Sequence, residues 1–197
     1  MKKLALVILA GISFATANAQ FQFGAKGGLN FATLSGSDIQ DAKTLVNFNV
    51  GVFARLPLVS RLSLQPELVY SVQGAKFSNP DESHHVNYLN IPILLRYSAG
   101  SGFGIYTGPQ VGFLLSAHDK FNGNSINEKD FFKSADFAWA VGLSYRIPAT
   151  QLGIDARYNF GISNIEDQGN SNQTGTVRNN VFQLGLTYVL FSTGRRK

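Results

Sequence analysis

Apolar and polar residues alternate along residues 136–147 and again, in opposite parity, along 152–163. In the first run Phe137, Trp139, Val141, Leu143, Tyr145 and Ile147 alternate with Asp136, Ala138, Ala140, Gly142, Ser144 and Arg146. In the second, Leu152, Ile154, Ala156, Tyr158, Phe160 and Ile162 alternate with Gly153, Asp155, Arg157, Asn159, Gly161 and Ser163. Successive side chains on a β-strand point to opposite faces, so the two runs predict a hairpin, turned at 148–151, with one apolar and one polar face. The distribution of bulk separates this from an ordinary half-buried sheet. A soluble sandwich points its large residues into the core and covers its outer face with charge. Here the polar face is built mainly of Gly, Ala, Ser and Asn, with few charges. Small polar residues suit the narrow interior of a closed barrel, and large apolar ones suit a surface facing lipid.

The same alternation recurs over residues 21–32, 45–56, 61–77, 86–97, 103–116 and 179–191, which makes eight predicted strands. The connections between them alternate in length. Residues 33–44, 78–85, 117–134 and 164–178 are long and polar, whereas 57–60, 98–102 and 148–151 are short. Bacterial outer-membrane barrels have an even number of strands, short periplasmic turns and longer external loops, and each tilted crossing needs about 9–11 residues. A soluble meander has no reason to alternate its loop lengths. The expected fold is therefore all-β, an eight-stranded antiparallel up-and-down transmembrane β-barrel with both termini periplasmic. Pro66, Pro92 and Pro109 fall inside predicted strands. A proline donates no ladder hydrogen bond, so each predicts a bulge or a locally broken pair.

The N-terminus adds an export signal to this picture. Met1-Lys2-Lys3 is a short positive segment, residues 4–15 are apolar, and Ala17-Asn18-Ala19 fits a small-x-small cleavage site. This predicts a signal peptide over 1–19, cleaved between Ala19 and Gln20, a barrel domain over 20–191 and a basic tail over 192–197. The apolar run is shorter than the roughly 20 residues a spanning helix needs. Loss of Lys2 and Lys3, with no acid lost beside them, lowers the formal net charge from +5 to +3. The surviving basic excess is too small to argue for a nucleic-acid partner. Cysteine is absent, which excludes a disulfide framework, a thiolate nucleophile and a Cys-based metal site.

Several segments carry a family resemblance. The stretch Gln20-Phe21-Gln22-Phe23-Gly24-Ala25-Lys26-Gly27-Gly28-Leu29-Asn30-Phe31 resembles the opening of small outer-membrane β-barrel proteins of Bacteroidetes-type bacteria, grouped as PorT-like or "porin family" barrels. Leu68-Val69-Tyr70-Ser71-Val72-Gln73-Gly74-Ala75-Lys76, Tyr88-Leu89-Asn90-Ile91-Pro92, Gly108-Pro109 and Phe182-Gln183-Leu184-Gly185-Leu186-Thr187-Tyr188 are similar too. The resemblance covers the whole expected mature chain. It implies an eight-stranded outer-membrane barrel. Relatives include a component needed for protein secretion and gliding, but the family name alone assigns no transport activity.

The chief polar constellation is inward-facing: Lys26, Arg55, Glu67, Arg96, Arg146, Asp155 and Arg157. The interior of an eight-stranded barrel is just wide enough for side chains to fill, so charges there must pair. Asp155 is expected between Arg146 and Arg157, and Glu67 against Lys26 or Arg55. The competing reading is a narrow anion-preferring pore lined by the surplus Arg. Outward Tyr70, Tyr97, Trp139, Tyr145, Tyr158 and Tyr188 are candidates for interfacial aromatic girdles. His84 and His85 lie near Asp81 and Glu82 in one loop, with His118 and Asp119 in the next, but their spacing matches no metal or catalytic motif. Gly24, Gly27 and Gly28 precede no helix, so they make no phosphate site of the dinucleotide-binding type.

These observations predict a non-enzymatic protein without cofactor or metal. It would sit in outer-membrane lipid as an envelope scaffold or a secretion- or assembly-associated protein, its external loops meeting a protein partner. The alternatives are a narrow passive pore for small solutes and a soluble lipocalin-like binder of an apolar ligand. The polar inward faces argue against the last.

Overall fold

A computed structural model of the chain describes residues 21–36, 43–76, 83–121, 124–127, 133–165 and 176–193. The expected signal peptide and its Ala19–Gln20 junction, the turn at Asn79-Pro80-Asp81, Glu82 and the last four residues lie outside the described residues. The described residues form nine strands: β1 (Gln22–Gly36), β2 (Lys43–Val59), β3 (Leu62–Lys76), β4 (Ser83–Gly100), β5 (Phe103–Phe121), β6 (Asn124–Asn127), β7 (Ala135–Arg146), β8 (Leu152–Gly161) and β9 (Val177–Ser192). Eight of them close a ring in the order β4-β3-β2-β1-β9-β8-β7-β5, completed by pairing of β4 with β5. Every pairing is antiparallel. Closure leaves no sheet edge, the condition for a β-structure in hydrocarbon, where an unpaired backbone group finds no water.

The ninth strand modifies the expected loop at 117–134. β5 does not stop at Ser116. It continues to Phe121 and folds back on β6, pairing Asp119 with Ile126. At 18 and 19 residues, β4 and β5 are much longer than a crossing requires. Their far ends form a β-hairpin collar on the rim that carries the long connections. β4 pairs with β5 through Asn87↔Ser116 and then Tyr88↔Leu114, so Leu115 is an extra residue. This bulge reverses the parity of β5, and Ala117 rather than Ser116 becomes buried.

The three prolines interrupt pairing without shifting it. The β2–β3 ladder skips from Phe53↔Glu67 to Leu56↔Leu64 around Pro66. The β3–β4 ladder skips from Pro66↔Ile93 to Val69↔Asn90 around Pro92. The β4–β5 ladder skips from Pro92↔Gln110 to Leu95↔Thr107 around Pro109. Each gap is equal on its two strands, so the register survives and every residue keeps its face. Of the two outcomes expected for these prolines, a locally broken pair is the one observed.

The exterior is apolar. Phe48, Val50, Val52, Ile93, Leu95, Phe137, Val141, Leu143, Leu184 and Leu186 all stand exposed on it. A continuous apolar surface of this kind is far larger than a soluble monomer displays. Trp139 also points outward, and its indole N–H donates to Thr107 Oγ1 at 2.8 Å. The Thr107 hydroxyl in turn donates to the Ala140 carbonyl at 3.0 Å. The polar atoms of both side chains are thus satisfied on a surface that offers no water.

Candidate functional site

Alternation places one residue in two inside the ring, and the lumen is filled in layers. Its middle is an ionic cluster drawn from four strands, β1, β3, β5 and β8. Glu67 on β3 accepts four hydrogen bonds. Arg157 Nη2 reaches Oε1 at 2.7 Å and Nη1 reaches Oε2 at 2.9 Å; Gln65 Nε2 adds 2.7 Å to Oε1, and Lys26 Nζ adds 3.2 Å to Oε2. Four is about the full acceptor capacity of a carboxylate. Lys26 also donates to Asp155 Oδ1 at 3.2 Å, and the Tyr106 hydroxyl donates to Asp155 Oδ2 at 2.7 Å. Arg157 Nε closes the circuit by donating to the Tyr106 oxygen at 3.2 Å, with its guanidinium carbon 5.0 Å from the centre of that ring. Two cations and two carboxylates balance. Arg157 is 1% and Glu67 4% exposed, so both charges are carried by these partners rather than by water.

Tyr106 fits only because Gly142 lies opposite it. The two residues are register partners, and a Cβ at position 142 would lie 2.3 Å from the Tyr106 hydroxyl oxygen. Gly104 likewise makes room for Arg96, whose Nη2 would lie 2.3 Å from a Cβ there. The small residues of the polar face are therefore the complement of the large polar groups that cross the lumen.

Towards the long-connection rim the ionic layer gives way to neutral amides. Asn30 Nδ2 donates to Ser71 Oγ at 2.9 Å and to the Val72 carbonyl at 2.7 Å. Asn30 Oδ1 accepts from Asn49 at 2.7 Å and Gln183 at 2.9 Å. Gln73 joins Ser71 to Asn179. The interior is less uniformly polar than the sequence pattern implies. Val86, Tyr88, Leu114 and Ala117 form one buried apolar cluster, and Leu94, Tyr106 and Ala140 form another.

Towards the short-turn rim lie the remaining arginines. Arg55 donates to two neutral amides, Gln65 Oε1 and Gln22 Oε1, each at 2.8 Å. Arg96 is buried on β4, and Arg146 stands exposed at the end of β7. All three line one cavity.

The structure thus assembles Lys26, Glu67, Asp155 and Arg157 and sets Arg55, Arg96 and Arg146 apart from them. Asp155 binds Lys26 and Tyr106, not the expected Arg146. Glu67 binds Lys26 as expected, and its strongest partner is Arg157, ninety positions along the chain. Tyr106 and Gln65 also belong to the network, though charge does not mark them; their inward parity was the available signal. Among the outward aromatics, Tyr97, Tyr145 and Tyr188 lie near the short-turn rim through their pairing with Leu62, Phe103 and Leu152. Tyr145 packs on Phe103 with ring centres 4.6 Å apart. Tyr70, Trp139 and Tyr158 pair with Val50, Pro109 and Val141, deeper in the wall. On the opposite rim, His85 lies 3.5 Å from Asn47 Nδ2, while the side chains of His84, His118 and Asp119 lie outside the described residues.

Comparison with known proteins agrees with this architecture. A family described as "Outer membrane protein beta-barrel domain" matches residues 14–167. The structure resembles the crystal structure of Neisserial surface protein A, NspA, at 15% identity and a TM-score of 0.55, covering 84% of this chain and 96% of that one. It also resembles Ail, the attachment invasion locus protein of Yersinia pestis, solved with the heparin analogue sucrose octasulfate. That likeness has 15% identity and a TM-score of 0.53, covering 88% of this chain and 99% of Ail. At these identities the likeness is one of fold. No curated protein matches the chain.

Proposed function

The chain belongs to the outer membrane protein β-barrel domain family, and we propose that within it this protein is a non-enzymatic, plugged barrel of the PorT-like, Bacteroidetes-type kind, serving as an envelope scaffold. Residues 1–19 are its signal peptide, and the segment after residue 191 is a basic tail. Both termini and the short turns face the periplasm. The long connections and the β5–β6 collar face outward and meet an envelope or secretion partner.

The observation that carries this reading is the closed Glu67–Arg157–Tyr106–Asp155–Lys26 circuit. It occupies the middle of a lumen only wide enough for side chains. A permeating ion would have to break charge-assisted bonds that have no water to replace them. A soluble carrier of an apolar ligand fits poorly, because the apolar surface is outside and the interior is occupied. Planar-bilayer recording tests the reading. Inserted protein, verified by its resistance to extraction, is expected to give no steady conductance. A stable anion-selective current would replace the scaffold with the narrow-pore alternative.

A further inference from the structure

The short-turn half of the lumen has a charge imbalance that the ionic plug does not absorb. Arg55, Arg96 and Arg146 line one narrow cavity, walled also by Ser144, Thr187 and the inner carboxylate Asp155. That carboxylate is committed: one oxygen to Lys26 and the other to Tyr106. Glu67, the next acid inward, is saturated by four donors. Three guanidiniums therefore face a common space with one carboxylate, Asp155, whose hydrogen bonds go to Lys26 and Tyr106.

The three differ in a telling way. Arg55 is held in place by the neutral oxygens of Gln22 and Gln65, which orient its Nε and Nη1 without pairing it directly to a carboxylate. Arg96 is only 5% exposed and makes no hydrogen bond among the described residues. Its place is made by the missing side chain of Gly104. Arg146 stands at the mouth, on the last residue of β7. A buried guanidinium without a partner is costly. Arg55 and Arg146 beside Arg96 add like-charge repulsion, which an anion shared between the three would relieve.

We propose that this vestibule is a binding site for a phosphate-type oxyanion, entered from the short-turn rim. Planar, five-donor guanidiniums match tetrahedral oxyanions in geometry as well as charge. Arg96 forms the floor, Arg55 a pre-oriented wall and Arg146 the closing arm at the rim. The plug behind Asp155 makes the site a dead end, so the anion binds and returns rather than passing through. The anion site stands on the arginine geometry and would hold for a barrel with any partner; only its being a dead end rests on the plugged-barrel reading. The phosphate could be carried by a free ion or by a lipid headgroup at the membrane surface.

The test is nuclear magnetic resonance of the arginine side-chain N–H signals of the full folded barrel in zwitterionic detergent micelles. One arm titrates inorganic phosphate at constant ionic strength, with chloride as control, and the other adds lysophosphatidylglycerol to the micelle. The expected result is a saturable shift of the Arg55 and Arg96 signals with phosphate in at least one arm and none with chloride. Response to inorganic phosphate assigns a free ion, and response to the lysolipid alone assigns a headgroup. Arg96→Gln is expected to weaken binding at least tenfold and Arg146→Gln, at the exposed rim, severalfold. Arg61→Gln, in the exposed turn between β2 and β3, should leave it unchanged. No saturable shift in either arm would overturn the proposal, as would equal affinity in wild type and Arg146→Gln together with Arg96→Gln or, if the latter does not fold, in Arg146→Gln alone.

Discussion

Glu67→Ala is expected to cost the folded barrel about 3–5 kcal/mol, the penalty for breaking a buried ion pair from one side. Four donors lose their acceptor at once: two nitrogens of Arg157, one of Gln65 and one of Lys26. Lys26 retains Asp155, and Arg157 retains only the Tyr106 oxygen. The guanidinium, 1% exposed, has no route to water. Asp155→Ala removes two bonds and is expected to cost less. Removing both ends of the strongest pair with apolar residues of similar size, Glu67→Leu with Arg157→Met, should recover part of the loss, because the unpaired charge disappears. Urea unfolding of the reconstituted barrel, followed by Trp139 fluorescence, measures the series. Equal midpoints for Glu67→Ala and wild type would remove the network from any role in stability.

Leu186→Arg is expected to cost about 2–4 kcal/mol, the penalty for a cation on the lipid face near the bilayer midplane. Leu186 is 58% exposed, opposite Gly27 on β1 and Ile154 on β8, in the middle of the wall. On a soluble protein an exposed leucine exchanged for arginine changes stability by less than about 0.5 kcal/mol. Ser98→Arg, exposed beside the short turn between β4 and β5, should be nearly neutral in either case. The same urea titration in phospholipid vesicles distinguishes the two. A neutral Leu186→Arg would mean that this face does not meet hydrocarbon.

The two substitutions probe the two faces that the alternating pattern made legible. Parity alone placed Lys26, Glu67, Arg96, Asp155 and Arg157 inside and Leu186, Trp139 and Val50 outside, because a strand that keeps its register keeps its faces. Even the prolines left this intact, since each broke a ladder bond without inserting a residue. One place where parity misled, Ser116 and Ala117, follows the Leu115 bulge, which no alternation count detects in advance.

Partner choice inside the lumen was much less legible. A hairpin register suggested Asp155 with Arg146 and Arg157, since all three lie on β7 and β8. Across a lumen, however, neighbours are set by strand tilt and stagger. These bring β3 against β8, so Arg157 meets Glu67, and β1 against both, so Lys26 bridges Glu67 and Asp155. Tyr106 was passed over because it carries no charge, although its hydroxyl completes the circuit. The collar escaped for a different reason. Residues 117–121 and 124–127 read as loop, and only their pairing as the end of β5 and β6 shows that the sheet continues.

Trp139 offers the most direct test that the apolar exterior faces lipid. It is the sole tryptophan, it is 44% exposed on the outer wall, and its N–H is already satisfied by Thr107. The full folded barrel would be reconstituted in phosphatidylcholine vesicles brominated along the acyl chain, and its fluorescence compared with that in unbrominated vesicles. A lipid-facing wall predicts strong quenching by the brominated chains and little by aqueous iodide. Quenching by iodide with none from the brominated lipid would put Trp139 in water and contradict the transmembrane barrel.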